Sequence, residues 1–198
     1  MGQFQLRCVR DGSLQPEYAL SCPHDQSLLR PEYRARQIQP RDLPGIWRFL
    51  DWLPVREMFP GFEAGPVTYK SRGLAGELGL ESLFISFNGY WPERGARLPT
   101  CSFKDLEAAP TIERLKERGE KATLVLASAG NTARAFVHAA CLAGWPLLLF
   151  VPEKALDRMW TVLPNGSGQV TLVAVRGDYY DAIVMAEKAC SYPGFVPE

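Results

Sequence analysis

Two short stretches of this chain hold residues whose types and spacing could do chemistry. The first is residues 100–107, TCSFKDLE, where Lys104 stands at the entrance of an expected helix after small polar residues. A lysine there faces the positive end of the helix dipole, an unfavourable place for an ammonium kept for structural reasons. The position suits an amine that is neutral or tied up as an imine, or else a solvated lysine with Asp105 and Glu107 as neighbours. The second stretch is residues 126–134, LASAGNTAR, where an apolar run enters Ser128-Ala129-Gly130-Asn131-Thr132 and leaves as a helix. Amide groups at such a helix start converge on one spot and lack intrahelical partners. Gly130 lets a ligand approach the backbone, Ser128 and Thr132 add hydroxyls, and Asn131 adds an amide, so an anion of carboxylate size fits the turn. An ordinary strand–turn–helix junction capped by Asn131 or Thr132 would use the same residues.

The elements that must position these residues are legible in the second half of the chain. Residues 104–118 carry Leu106, Ile112 and Leu115 among charges and read as a helix despite Pro110. Residues 122–127 (ATLVLA), 146–151 (PLLLFV) and 169–175 (QVTLVAV) read as short buried strands. Helices are expected over 132–142, stopped by Gly144, over 155–162, and over 178–189. Continuous apolar strands alternating with helices point to parallel βαβ units. Adding an expected helix at 71–80 and strand at 82–87 gives at least four strands in a doubly wound α/β layout. The turn at 128–132 then lies at the carboxyl end of a strand, where open α/β sheets place their ligands. Gly166-Ser167-Gly168 precedes a strand and reads as a turn.

Composition narrows the function classes. The chain has 198 residues, with 22 Lys+Arg against 22 Asp+Glu and hence no formal net charge, which argues against a general nucleic-acid-binding surface. With 46% hydrophobic and 22% charged residues it reads as globular rather than disordered or fibrous. The longest aliphatic and aromatic run is five residues, 147–151, far short of the ~20 that span a bilayer. The N-terminal MGQFQLRC lacks a signal-peptide core, and Leu6 breaks the myristoylation pattern. Five cysteines without a secretory signal point to reduced thiols and a cytoplasmic protein. Ten of the 16 prolines precede residue 101, so the first half reads as short elements and fixed turns.

S-F-K-D at 102–105, followed by S-A-G-N-T at 128–132 with a helix and a strand between them, resembles the paired signature of the fold-type II pyridoxal-phosphate enzymes, of which threonine synthase is the familiar member. The segments GPVTYKSRG (65–73), SFNGYWP (86–92) and TCSFKDLEA (100–108), with LLRPEY (28–33) and GIWRFLDWLPV (45–55), narrow the resemblance to the cysteate synthase branch, over almost the whole chain. The resemblance implies a tryptophan synthase β-like, three-layer doubly wound sheet and pyridoxal 5′-phosphate as cofactor. Lys104 would form the Schiff base and act as general base, Asn131 would bond the cofactor's ring hydroxyl, and Ser128, Ala129, Gly130 and Thr132 would hold the substrate carboxylate. The implied reaction is β-replacement: O-phosphoserine loses phosphate to give an aminoacrylate, and sulfite adds to give cysteate, on a route to sulfonates such as coenzyme M. Threonine synthase chemistry on O-phosphohomoserine stays open as the alternative, as does an inert binding module. The partners implied are the amino-acid substrate, sulfite and a second copy of the full-length chain in a homodimer, with no nucleic acid and no membrane.

Departures from the family shape the remaining expectations. The Gly-rich loop that binds the cofactor phosphate is absent, and family members are about twice this length. The chain is therefore expected to be an N-terminal part, inactive alone. Its expected divisions are a ribbon-like hairpin (1–35), the first part of the large domain (36–100), a small α/β domain carrying both motifs (101–165) and the start of a return to the large domain (166–198). Cys8-x-x-Asp11 and Cys22-x-x-Asp25 have zinc-ribbon spacing with the second cysteine of each pair replaced, and with His24 nearby. The expectation is a decayed ribbon that keeps its hairpin without metal. His138, Cys101, Cys141, Cys190, Trp47, Trp52, Tyr90 and Trp91 read as packing residues, and Arg94 and Arg97 as a surface loop near the lysine motif.

Overall fold

The computed structural model describes residues 3–160 and 169–198. The chain opens with a small antiparallel sheet of three strands, β1 (Phe4–Cys8), β2 (Leu14–Gln15) and β3 (Leu29–Tyr33), in the order β2-β1-β3. A 3₁₀ segment, Gly45–Trp52, follows and buries Trp47, whose indole N–H donates to the Phe62 carbonyl. Gly45 has φ +56°, and a Cβ there would lie 2.2 Å from the Ala64 carbonyl oxygen. Only glycine allows these two backbones to meet so closely.

β4 (Val67–Lys70) and β5 (Phe84–Phe87) form an antiparallel pair around a short helix α1 (Gly73–Glu77). A second hairpin, β6 (Tyr90–Trp91) and β7 (Ala96–Arg97), turns through Pro92–Arg94. The strand expected at 82–87 thus pairs locally and stands outside the parallel sheet. Tyr90 and Trp91 lie on the surface rather than in a core.

The second half alternates as expected. It runs α2 (Asp105–Glu117), β8 (Thr123–Ala127), α3 (Asn131–Ala143), β9 (Leu147–Pro152), a 3₁₀ turn (Glu153–Arg158), β10 (Val170–Val175), α4 (Tyr179–Cys190) and β11 (Phe195–Pro197). The four strands form one parallel sheet, β10-β9-β8-β11. The fourth parallel strand is therefore β11, which its three residues and Pro197 hide from any periodicity argument. The sheet also crosses the division expected at 165, since β10 and β11 pair with strands from before it. Gly166-Ser167-Gly168 lies outside the described residues.

Strand parity builds the layers. Leu124, Leu126, Leu147, Leu149 and Val151 face a core shared with Ala133, Phe136, Ala139 and Ala140 of α3 and Ala108 and Ile112 of α2. Val125 and Phe150 face the other way, onto Ala182 and Ala186 of α4. A period of two on strands covered on both faces produces this sandwich. Alanines on α3 and α4 let the helices approach the sheet closely. Helix α4 begins in a capping box, the Asp178 carboxylate accepting from the Tyr180 and Asp181 amides. Among the described residues no helix is long and apolar enough to cross a membrane, and no disulfide forms.

His138 is buried on α3 beside the Phe62 ring, and its Nδ1 has no partner among the described residues. Burial pushes its imidazole below the ordinary value. The unfolded chain takes up a proton as pH falls through about 6.5, while the folded chain resists until lower pH. Stability is therefore fully present above that value and is lost on acidification. The urea midpoint is expected to fall from roughly pH 7 to 5.5, with a flatter dependence in His138→Gln.

Candidate active site

Lys104 occupies the N-cap position of α2, with φ −63° and ψ −19°. The turn before it is built by Asp105, which is fully buried. Its carboxylate accepts from the Thr100 amide at 2.9 Å and from the Thr100 hydroxyl at 2.8 Å. This clamp closes the loop 100–105 and holds Cys101 at φ +55°, a left-handed conformation that ordinarily favours glycine. Burial raises the Asp105 carboxyl, and the two Thr100 donors oppose that shift. Cys101 itself is exposed, so its sulfur does not pack in the core; what the fold uses is its backbone.

The Lys104 side chain is 29% exposed, and its Nζ donates to Glu107 Oε2 at 2.5 Å. That bond is the main reason the amine lies above its ordinary value, with the charges of Glu198 and Tyr179 adding to it. The Glu198 carboxyl is raised by burial and by Glu107. Lys104, Glu107 and Glu198 therefore share one cluster. Its physical effect is to store a proton on Nζ while Glu107 stays in place.

The turn after β8 lies at the same sheet edge. Glu198 directly follows β11, and Tyr179 opens α4 after β10, so both stand at carboxyl ends of the parallel strands. The Tyr179 hydroxyl reaches the Ala127 carbonyl at 3.5 Å. Tyr179 thus links the lysine cluster to the entrance of residues 128–132. Among the described residues, no hydrogen bond runs directly from Lys104 to that turn.

Within the turn, Ser128 points inward. Its Oγ accepts from the Ala133 amide at 3.1 Å and the Gly130 amide at 3.4 Å. Gly130 holds the N-cap position of α3, and the Ser128 hydroxyl, two residues earlier, satisfies the Ala133 amide that an ordinary junction would leave to Asn131 or Thr132. Among the described residues the Ser128 hydroxyl hydrogen has no acceptor. The Asn131 side-chain oxygen accepts from Arg134 Nη2 at 2.5 Å, and its NH₂ group has no acceptor among the described residues. A Cβ added at Gly130 would meet nothing within 4 Å, so the face of the turn is open. Of the first-turn amides of α3, that of Ala133 is taken by Ser128, while those of Asn131 and Thr132 precede the intrahelical ladder. Ala129 is half-buried against the main core.

Arg97 pairs with Glu63 at 3.1 Å, away from the lysine. The Arg94 guanidinium lies 5.1 Å above the Trp91 ring. It borders an open cleft of about 490 Å³ that Lys70, Ser71 and Arg72 also line. Sequence reasoning missed Glu198 and Tyr179. Neither stands in a motif, and only the strand order brings them to Lys104. Glu107 was readable, three residues after the lysine on one helix face.

A primary amine at a sheet edge beside an open, amide-lined turn fits an aldehyde-bearing cofactor and a carboxylate. The model of the family described as "Pyridoxal-phosphate dependent enzyme" matches residues 71–197, which include both motifs and the entire parallel sheet. The chain belongs to that family of pyridoxal-phosphate-dependent enzymes. It is also similar over its whole length to proteins named cysteate synthase. Identity is 54% with that of Methanothrix thermoacetophila, 52% with that of Methanococcoides burtonii and 50% with that of Methanocorpusculum labreanum. The chain spans 47%, 47% and 48% of those relatives, about half their length.

Proposed function

We propose that this chain carries the lysine-bearing part of a pyridoxal-phosphate-dependent β-replacement enzyme that converts O-phosphoserine and sulfite to cysteate and phosphate. The observation that supports this best is the sharing of one sheet edge by the Lys104 cluster and the open turn at 128–132, in a chain similar throughout to cysteate synthases. When bound, the cofactor supplies an electron sink that acidifies the substrate α-hydrogen.

The chain's own residues do the rest. The Lys104 amine holds the cofactor in the resting protein and takes the α-proton once released. Glu107 sets when that amine is charged. The Asn131 NH₂ meets the cofactor ring, and the backbone of Ala129 and Gly130, the Ser128 and Thr132 hydroxyls and the start of α3 orient the carboxylate. Helix-start amides favour an anion and need no reorganisation as it binds.

The test is product analysis on the full-length protein, a homodimer in this reading, supplied with O-phosphoserine and sulfite. Cysteate and inorganic phosphate are expected in equal amounts. Threonine from O-phosphohomoserine, with no cysteate, would overturn the assignment.

A further inference from the structure

The N-terminal hairpin repeats one loop twice, residue for residue. In the first copy, the Gly12 amide bonds the Cys8 carbonyl at 3.1 Å and the Cys8 amide bonds the Ser13 carbonyl at 2.9 Å. In the second, the Gln26 amide bonds the Cys22 carbonyl at 2.9 Å and the Cys22 amide bonds the Ser27 carbonyl at 3.0 Å. Gly12 and Gln26, four residues after each cysteine, both have positive φ, +74° and +60°. Asp11 and Asp25, three residues after each cysteine, accept from the Ser13 and Ser27 amides at 2.8 and 3.0 Å. Gln26 is one of two non-glycine residues with positive φ among those described. The second loop therefore keeps the shape of the first even where the residue resists it.

The two loops face one another. Both cysteines are buried, Cys8 at 2% exposure and Cys22 at 0%. The two sulfurs and an Asp11 carboxylate oxygen all lie within 4.8 Å of one another. The Arg10 amide donates to Cys8 Sγ at 3.4 Å, and Gln15 Nε2 to Cys22 Sγ at 3.8 Å. His24 Nδ1 is 3.2 Å from Asp11 Oδ2, whereas Asp25 lies 3.7 Å from the Arg10 guanidinium.

We infer that Cys8, Asp11 and Cys22 form a structural divalent-metal site, with His24 as its fourth ligand and zinc as the ion its chemistry suits. This departs from the metal-free hairpin expected from sequence. Two thiolates with one imidazole and one carboxylate select a borderline ion that tolerates tetrahedral geometry. Zn–S bonds of about 2.3 Å place neighbouring ligand atoms roughly 3.8 Å apart, so the Cys8, Asp11 and Cys22 atoms need only a modest contraction, while His24, outside that cluster, must turn into it from its contact with Asp11. The ion would join the two loops and fasten β1 to the segment leading into β3. The inference is independent of the reaction proposed above.

Cobalt(II) is the probe, because its bands report both tetrahedral geometry and thiolate ligation. The whole chain, reduced and stripped of metal with chelator, is titrated with Co²⁺. Saturation is expected at one equivalent, with a near-ultraviolet thiolate-to-cobalt band that Zn²⁺ displaces. Cys22→Ser should abolish the band. Asp11→Asn, at an exposed position that leaves the circular dichroism unchanged, should weaken binding at least about tenfold. Absence of a saturable band in the wild-type chain would overturn the site. So would a band that persists in Cys22→Ser, or an affinity that Asp11→Asn leaves intact.

Discussion

Lys104→Ala in the full-length protein is expected to abolish turnover while leaving the fold intact. The two halves of that expectation have separate causes. The residue sits at a helical N-cap with φ −63°, which alanine adopts without strain. Its ion pair with Glu107 is partly exposed, and such pairs contribute at most about 1 kcal/mol. The helix dipole opposes a cation there, which offsets part of that gain. Stability should therefore change by less than about 1 kcal/mol. Activity should fall by at least about 10³-fold, since in the proposed reaction one group would both anchor the cofactor and move the α-proton. Borohydride reduction followed by peptide mass analysis checks the assignment directly. The cofactor should become fixed to the peptide bearing Lys104 in the wild-type protein and to no peptide in the variant. Attachment at another lysine would defeat the proposal.

Asp105→Ala is expected to act the opposite way, through the fold. The variant leaves the Thr100 amide and hydroxyl without their acceptor inside the protein. Hydrogen bonds to a charged group are worth about 1.5–3 kcal/mol each, but removing a buried carboxylate also removes its desolvation penalty. The net cost should be about 2–3 kcal/mol, read as a lower urea midpoint with an unchanged slope. Asp105→Asn should recover part of it, because one oxygen can still accept. In a double-mutant cycle Thr100→Ala and Asp105→Ala should couple by at least about 1 kcal/mol. Additive effects would show that the clamp does not act as a unit. Its wider role is to hold Cys101 in the left-handed region and so to aim Lys104, which makes Asp105 a positioning residue.

The two predictions divide adjacent residues by physical task. Lys104 is half-buried, dispensable to packing and proposed for chemistry. Asp105 is buried, bonded to Thr100 through both carboxylate oxygens and proposed for the fold. Side-chain type alone does not separate them, since both are charged residues at a helix start. Burial and the identity of the hydrogen-bond partners do.

Local pattern carried a large share of the structure. Alternating apolar runs and helices located β8, α3, β9, β10 and α4 within a few residues, because a strand buried on both faces must be apolar throughout and a crossover helix must return the chain to the same edge. The same logic put residues 128–132 at a strand's carboxyl end, and the paired motifs singled out Lys104 and Asn131. What depends on contacts between distant parts of the chain came only with the tertiary structure. Strand order β10-β9-β8-β11 brings Glu198, 94 positions after Lys104, into its electrostatic reach. Packing turned Ser128 inward to the Ala133 amide, paired β5 with β4 outside the parallel sheet, and folded two loops 14 residues apart so that Cys8, Asp11 and Cys22 converge. A residue's own neighbours in sequence specify its backbone preference and the face it shows, whereas which distant group meets it follows from how the faces stack.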